Sequence, residues 1–272
     1  MNEKLQKLEN LIRSCGSCLI AYSGGVDSFF LAYVATRTLG DKALAVISDT
    51  PSLPRRELID AISLAKKFNI NLSIIKSKEF NNPQYLANPV NRCYFCKKDL
   101  FSEMSILAKL KGINTIFYGE NADDTDDFRP GANAASEFNV RAPLKELGFT
   151  KADIRQISAQ LGLPTANKPQ MACLSSRIPY GEKVTPQKLK MIEESEYFLN
   201  ELGIINCRVR HHEISGGHLA RIEVSPSEMP KLFNPDIISK IALKLKELGY
   251  SYVTMDLLGY RRGSLNEIIK PA

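Results

Sequence analysis

Tryptophan is absent from this 272-residue chain, and only three histidines occur, all between His211 and His218. No apolar run reaches the roughly 18 residues that a membrane-spanning helix needs, which excludes such a helix. The first residues, Met1 to Lys7, contain no apolar signal core, so the chain is expected to remain in the cytosol. No block of five or six like charges, no internal repeat and no low-complexity tract appears. Their absence argues against a nucleic-acid-binding tail and a solenoid. In a reducing cytosol the six cysteines are not expected to form disulfides, and they ask for a metal, sulfur chemistry or plain packing.

What is present is an ordinary globular composition, 44% hydrophobic and 24% charged, enough for one large domain or two modest ones. Thirty-six Lys+Arg against 30 Asp+Glu give a net charge of +6. That is compatible with phosphate-bearing ligands and too mild for a dedicated nucleic-acid surface.

Short apolar runs alternate with helical patterns over residues 1–165. Strands are predicted at Cys18–Tyr22, Ala43–Ile47, Leu72–Ile75 and Thr115–Gly119. Helices are predicted over Asp27–Leu39, Pro54–Phe68 and Asp99–Lys111, and from Thr150 onward with Thr150 as N-cap. This rhythm predicts an α/β domain, a mainly parallel sheet with helices on both faces and ligands beyond the carboxyl ends of its strands. Residues 166–184, rich in proline, read as an interdomain crossing. Residues 185–272 read as a smaller α+β domain: a helix capped by Thr185, strands at Cys207–His211 and His218–Val224, a helix over Pro235–Leu248 and a strand at Tyr252–Asp256. The final Lys270-Pro271-Ala272 is expected to fray.

The strongest chemical signal is Ala21-Tyr22-Ser23-Gly24-Gly25-Val26-Asp27-Ser28, between the first strand and helix. Two glycines let backbone N–H groups approach an anion, Ser23 and Ser28 offer hydroxyls, and the helix directs its positive end at the same place. The loop lacks the lysine of a Walker motif. A tight turn is the plain alternative. The loop resembles the signature of the PP-loop ATP pyrophosphatases, Ser-Gly-Gly-x-Asp-Ser. That resemblance implies ATP cleavage between the α and β phosphates, with Ser23, Gly24, Gly25, Asp27 and Ser28 at the pyrophosphate, Ser48 and Asp49 near the adenosine, and Mg2+ as counterion.

Cys93 and Cys96 form a C-x₂-C pair, and Cys173 stands alone inside the crossing. By spacing, the pair suits zinc, a redox dithiol or two packed thiols; three cysteines without a fourth ligand suit an iron–sulfur cluster with one open iron. Cys15 and Cys18, a second C-x₂-C, read as packing or turn residues, although their spacing leaves a second metal site open. Cys207 reads as core.

Taken with the loop, several blocks resemble the LarE family, ATP-dependent sulfur transferases that make the nickel-pincer nucleotide. They are Ser48–Glu57, Arg92–Lys97, Gly119–Asp124, Arg129-Pro130-Gly131 and, most specifically, Ala172–Gly181. The resemblance implies a pyridinium dicarboxylate mononucleotide substrate and a homo-oligomer, with no nucleic-acid or membrane partner and a sulfide source left unspecified. Members with three such cysteines imply a [4Fe–4S] cluster on Cys93, Cys96 and Cys173; others sacrifice the sulfur of the residue matching Cys173.

Ser176, Arg177, Arg208, Arg210 and Asp123 are the expected substrate contacts, with Arg129 and Arg141 as further candidates. Glu196 and Glu223 are assigned to the second domain's site or its oligomer contacts. A solvated strand face is the plain alternative for Arg208 and Arg210, and a solvated acidic loop for Asp123. His211 and His212, adjacent on a strand, face opposite ways and make a poor chelating pair. A PP-loop tRNA thiolase, an amidating ligase and a non-catalytic nucleotide-binding module are the competing readings.

Overall fold

The computed structural model describes residues 3–125, 130–261 and 263–267. Arg129 and the closing Lys270–Ala272 lie outside them. The chain divides into two units, one of Met1–Asn82 and Asn91–Met171, the other of Pro83–Val90 and Ala172–Ala272.

In the first unit the helices are α1 (Glu3–Ser14), α2 (Val26–Leu39) and α3 (Arg55–Lys67). The short α4 (Pro83–Leu86) intervenes in sequence before α5 (Arg92–Lys111), α6 (Pro130–Glu137), α7 (Pro143–Glu146) and α8 (Lys151–Gln160). The strands β1 (Cys18–Ala21), β2 (Ala43–Asp49), β3 (Leu72–Lys76) and β4 (Ile116–Phe117) form a sheet of order β3-β2-β1-β4. Every pairing is parallel, with Leu19 opposite both Leu44 and Ile116. Alternation along β1 explains the two covered faces. Cys18, Ile20 and Tyr22 pack in one core with α1, α2, α3 and α8, while Leu19 and Ala21 pack in another with Phe101 and Met104 of α5 and Ala134 of α6. The strand order reverses direction between β1 and β4, and the glycine loop leaves β1 at that switch point, where parallel sheets bind ligands.

In the second unit α9 (Pro186–Glu201) and α10 (Pro235–Glu247) accompany β5 (Cys207–Ile214), β6 (Gly217–Val224) and β7 (Tyr252–Met255). The hairpin β5–β6 is antiparallel and β7 adds in parallel to β6. Cys207, Val209, Ala220, Ile222 and Val224 share a core with Met191 and Leu199 of α9 and Ile241 and Leu245 of α10. The alternate residues Arg208, Arg210, Arg221 and Glu223 therefore belong to the opposite, charged face.

The parallel α/β domain and the smaller α+β unit agree with the sequence expectation. Four details differ. The helix expected from Asp99 begins at Arg92, because no proline or glycine interrupts 92–98, so Cys93 and Cys96 sit in its first turns. The fourth strand shrinks to two residues, and β5 runs on to Ile214. Pro83–Val90, placed by sequence in the first domain, cluster with the second unit. Among the described residues no helix is long and apolar enough to cross a membrane.

Candidate functional site

In the first unit the glycine loop is tightly built. Gly24 adopts φ +69, and a Cβ there would lie 2.6 Å from that of Ala61 on α3, so both its backbone and its space demand glycine. Gly119, beyond β4, presses on the start of α2: a Cβ would stand 3.0 Å from the Ser28 nitrogen. The Ser23 N–H donates to Ser28 Oγ at 3.1 Å and the two hydroxyls lie 2.9 Å apart, folding the loop over the helix start. Backbone N–H groups and the helix dipole thereby converge at one end of the sheet.

Two lysines that sequence reasoning missed border this loop. Lys151, the first residue of α8, pairs with Asp27 Oδ2. Lys168 donates to the Gly24 carbonyl at 3.3 Å and pairs with Glu57 of α3 at 2.6 Å. Arg155 holds the Lys168 segment through the carbonyls of Ala166 (2.6 Å) and Lys168 (2.9 Å). Thr150 was legible as an N-cap, and its successor at a ligand-edge helix start was a usable signal for Lys151. Lys168 carried none.

Asp27 is an unusual carboxylate. Burial raises its pKa above the ordinary value although Lys151 opposes the shift, and Asp124 adds a like charge. Its Oδ1 is buried without a hydrogen-bond partner among the described residues. An orphaned carboxylate oxygen at a glycine loop and helix start has the chemistry of a hard-cation ligand, so these residues fit Mg2+.

Ser48 and Asp49 end β2. Asp49 is held by Arg55 at 2.5 Å, and Arg55 also donates to the carbonyls of Thr50 and, at 2.8 Å, Leu53. Thr50 bonds to the fully buried Glu79. In the acidic stretch after β4, Glu120 is buried on Lys145 at 2.9 Å and on the Tyr118 hydroxyl. Asp123 accepts from the Lys151 N–H at 2.7 Å, and Asn121 is fully buried with its Nδ2 unpartnered. Arg141, a suggested substrate contact, pairs with Glu146 at 2.6 Å and lies over the Phe117 ring.

None of the six cysteines forms a disulfide. Cys93 is exposed and Cys96 partly so; three residues apart on α5, they share one helix face. Gly131 of α6 permits close packing there, since a Cβ would lie 3.0 Å from Lys97 Cγ. Cys18 and Cys207 are core residues, and burial pushes each thiol up to about 12. Cys15 donates to the Leu11 carbonyl at 3.3 Å.

In the second unit Cys173 is exposed and precedes a 3-10 turn at Leu174–Arg177. The Ser176 N–H and Oγ both donate to the Cys173 carbonyl, at 3.0 and 2.7 Å. Arg177, expected at the substrate, is wholly buried. It meets Glu196 through two parallel bonds (2.9 and 3.0 Å) and donates to the carbonyls of Ala172 (2.7 Å) and Cys173 (3.0 Å). Burial works against its charge, but Glu196 outweighs it and leaves the Arg177 pKa raised. Arg210 bridges the Ser176 carbonyl (2.9 Å) to Glu223 (2.7 Å), with its Nε buried and unpartnered. Arg208 lies over the Tyr260 ring at 5.1 Å; burial and then the neighbouring Arg177 lower its pKa. Glu196 and Glu223 are thus the arginines' buried partners.

The thiols of Cys93, Cys96 and Cys173 are the three that solvent reaches among the family-matched positions, and their donor chemistry fits an iron–sulfur cluster. The pair belongs to the first unit and Cys173 to the second. Among the described residues, no group of three or more His, Cys, Asp or Glu side chains gathers to hold a metal.

No family model matches the chain. It is 41% identical over 269 residues, 99% of both chains, to an uncharacterised protein of Synechocystis sp.. It is 31% identical over 256 residues to the pyridinium-3,5-bisthiocarboxylic acid mononucleotide synthase of Lactiplantibacillus plantarum, covering 93% of this chain and 90% of that one. A more distant similarity, 25% over 185 residues, joins 62% of this chain to 59% of one chain of the glutamine-hydrolysing GMP synthase of Thermoplasma volcanium. With the loop at the switch point of a parallel sheet and near full-length similarity to the mononucleotide synthase, this chain belongs to the LarE family within the PP-loop superfamily.

Proposed function

We propose that this protein is an ATP-dependent sulfur transferase that converts the carboxylates of pyridinium-3,5-biscarboxylic acid mononucleotide to thiocarboxylates. The observation that carries the reading is the presence, in one chain, of a tightly built glycine loop and an exposed Cys173 on a turn fixed by buried arginine.

A substrate carboxylate oxygen attacks the α-phosphorus of ATP, pyrophosphate leaves, and the carboxyl becomes an acyl-adenylate. Ser23, Ser28 and the N–H groups at the start of α2 receive the departing pyrophosphate; Lys151 and Lys168 place positive charge beside it. Magnesium, when bound, neutralises charge on the phosphates, and Asp27 is the residue to hold it. A sulfur nucleophile then attacks the acyl carbon and AMP departs. A [4Fe–4S] cluster held by Cys93, Cys96 and Cys173 would supply that sulfur as sulfide on its open iron. Arg177 fixes the Cys173 turn, and Arg208 and Arg210 are the arginines this reading assigns to the substrate's own phosphate.

Within the same family, a sacrificial Cys173 would deliver its own sulfur. Anaerobic purification, iron and sulfide analysis, and intact mass before and after turnover separate the two. Iron in the purified protein with an unchanged mass is the expected result. Iron-free protein that loses about 34 Da, the mass of one hydrogen sulfide, at Cys173 overturns the cluster route.

A further inference from the structure

The segment Pro83–Val90 lies in sequence between two stretches of the first unit, yet it clusters with the second. The reason is a buried polar buckle. The Tyr85 hydroxyl meets Ser175 Oγ at 2.8 Å, and both residues are closed to solvent. Asn88, fully buried, adopts φ +52 and donates its amide to two successive carbonyls, Ile178 at 3.2 Å and Pro179 at 2.7 Å. In return the Gly181 N–H donates to the Asn88 carbonyl at 3.0 Å and the Val184 N–H to the Leu86 carbonyl at 2.9 Å.

These contacts span the strap that begins at Cys173. Ser175 stands two residues after it, inside the 3-10 turn, and Pro179 follows two residues past that turn, within an irregular stretch that runs to the start of α9. The left-handed asparagine is costly to replace, because few side chains tolerate that backbone and its amide covers neighbouring carbonyls at once. Buried hydrogen bonds contribute little net stability and much geometric definition. The same segment continues into Cys93 five residues after Asn88.

We propose that Tyr85 and Asn88 are positioning residues for the sulfur-bearing strap, holding the Cys173 turn in its reactive geometry without touching nucleotide or substrate. This rests on the sulfur-transfer reading above. The bonds described above run from the Pro83–Val90 segment to the strap within the second unit, so adenylation and sulfur delivery are expected to be separable by substitution here.

The test uses the full-length protein, prepared anaerobically, with Tyr85→Phe, which keeps the ring, and Asn88→Gly, which keeps the left-handed backbone. Both are expected to retain substrate-dependent ATP–pyrophosphate exchange within about twofold, while sulfur transferred per ATP falls about tenfold. In the same preparations stripped of iron, amide exchange at Gly181 and Val184 is expected to rise about tenfold, with β1 and β2 unchanged. Iodoacetamide labelling of Cys173, followed by mass, is expected to change about threefold or more. Unchanged amide exchange and unchanged labelling in both variants would overturn the proposal. So would a parallel loss of pyrophosphate exchange, which marks general unfolding. If the unaltered protein transfers no sulfur, the functional reading fails, and the exchange and labelling ratios still decide the buckle.

Discussion

The two glycines of the loop are unequal, and the difference is measurable. Gly24 needs both its left-handed φ of +69 and the absence of a Cβ against Ala61. Gly25 has φ −79, and a Cβ there would make an ordinary 3.4 Å contact with Ser23 Oγ. Gly24→Ala is therefore expected to destabilise by about 1–3 kcal/mol and to abolish ATP binding. Gly25→Ala is expected to keep the melting temperature and to weaken ATP, because the methyl group crowds the phosphate approach. Thermal melts with calorimetric titration of ATP check both.

His211 offers a second residue-scale test. It is fully buried, its ring 4.6 Å from that of His218, and its Nδ1 lies 3.2 Å from the Tyr250 hydroxyl. Burial first, then His218 and Lys188, pushes its pKa down to about 3, with Glu213 opposing. A lowered folded-state value means that the unfolded chain takes a proton which the native chain refuses. The stability contribution is complete above the ordinary value of 6.5 and is lost as pH falls from there toward 3, by at most about 1.4 kcal/mol per pH unit. His211→Gln, which keeps a polar group toward Tyr250 and does not titrate, should flatten the decline in urea midpoint between pH 7.5 and 5. An equally steep decline in the variant contradicts the assignment. The sequence placed His211 and His212 on opposite faces but could not reveal His218 as a neighbour, because that contact needs the β5–β6 register.

At the scale of elements, local chemistry was readable wherever a cap or a period announced it. Thr150 and Thr185 cap α8 and α9 through Asp153 and Lys188 N–H groups, and Gly112 ends α5 at φ +65, all as the residues suggest. The start of α5 was missed although Arg92–Lys98 contains no breaker; Asn91 precedes it without a side-chain cap bond. The buckle at Tyr85 and Asn88 was illegible because its partners lie about 90 residues away in the chain. The glycine loop was readable as a motif between the first strand and helix; the inward turn of Arg177 was not, since spacing cannot tell a buried guanidinium from an exposed one. The α8 cap carries a prediction of its own. Thr150 and Asp153 form a reciprocal box, and the helix start they fix presents Lys151 to Asp27 and its N–H to Asp123. Thr150→Ala should cost about 1 kcal/mol, or about 2–4 °C in melting temperature, and raise the KM for ATP. Thr150→Ser should restore both.

At the scale of the whole molecule, the glycine loop and the exposed Cys173 belong to different units, while Cys93 and Cys96 share the loop's unit. The loop, Asp27, Lys151 and Lys168 all belong to the first unit, and Cys173 with its arginine-fixed turn belongs to the second. The net charge of +6 includes Arg208 and Arg210, which the charged face of the smaller sheet sets side by side. An enzyme arranged in this way should fail in two distinguishable manners. Cys173→Ser removes the thiol while leaving the Ser176 and Arg177 bonds to the backbone carbonyl of that residue in place. It is expected to retain pyrophosphate release and to accumulate or hydrolyse the acyl-adenylate, with sulfur transfer reduced by about 10³-fold or more. Asp27→Asn replaces one carboxylate oxygen with an NH2 group and removes the negative charge that faces Lys151. It should lose pyrophosphate release and sulfur transfer together, with a weakened dependence on added Mg2+. Pyrophosphate release, followed by a coupled assay, and thiocarboxylate formation, followed by mass, are the two readouts that separate these failures. A Cys173→Ser protein that also ceases to release pyrophosphate would mean that adenylation waits on the sulfur donor, and the two chemistries would be coupled rather than sequential.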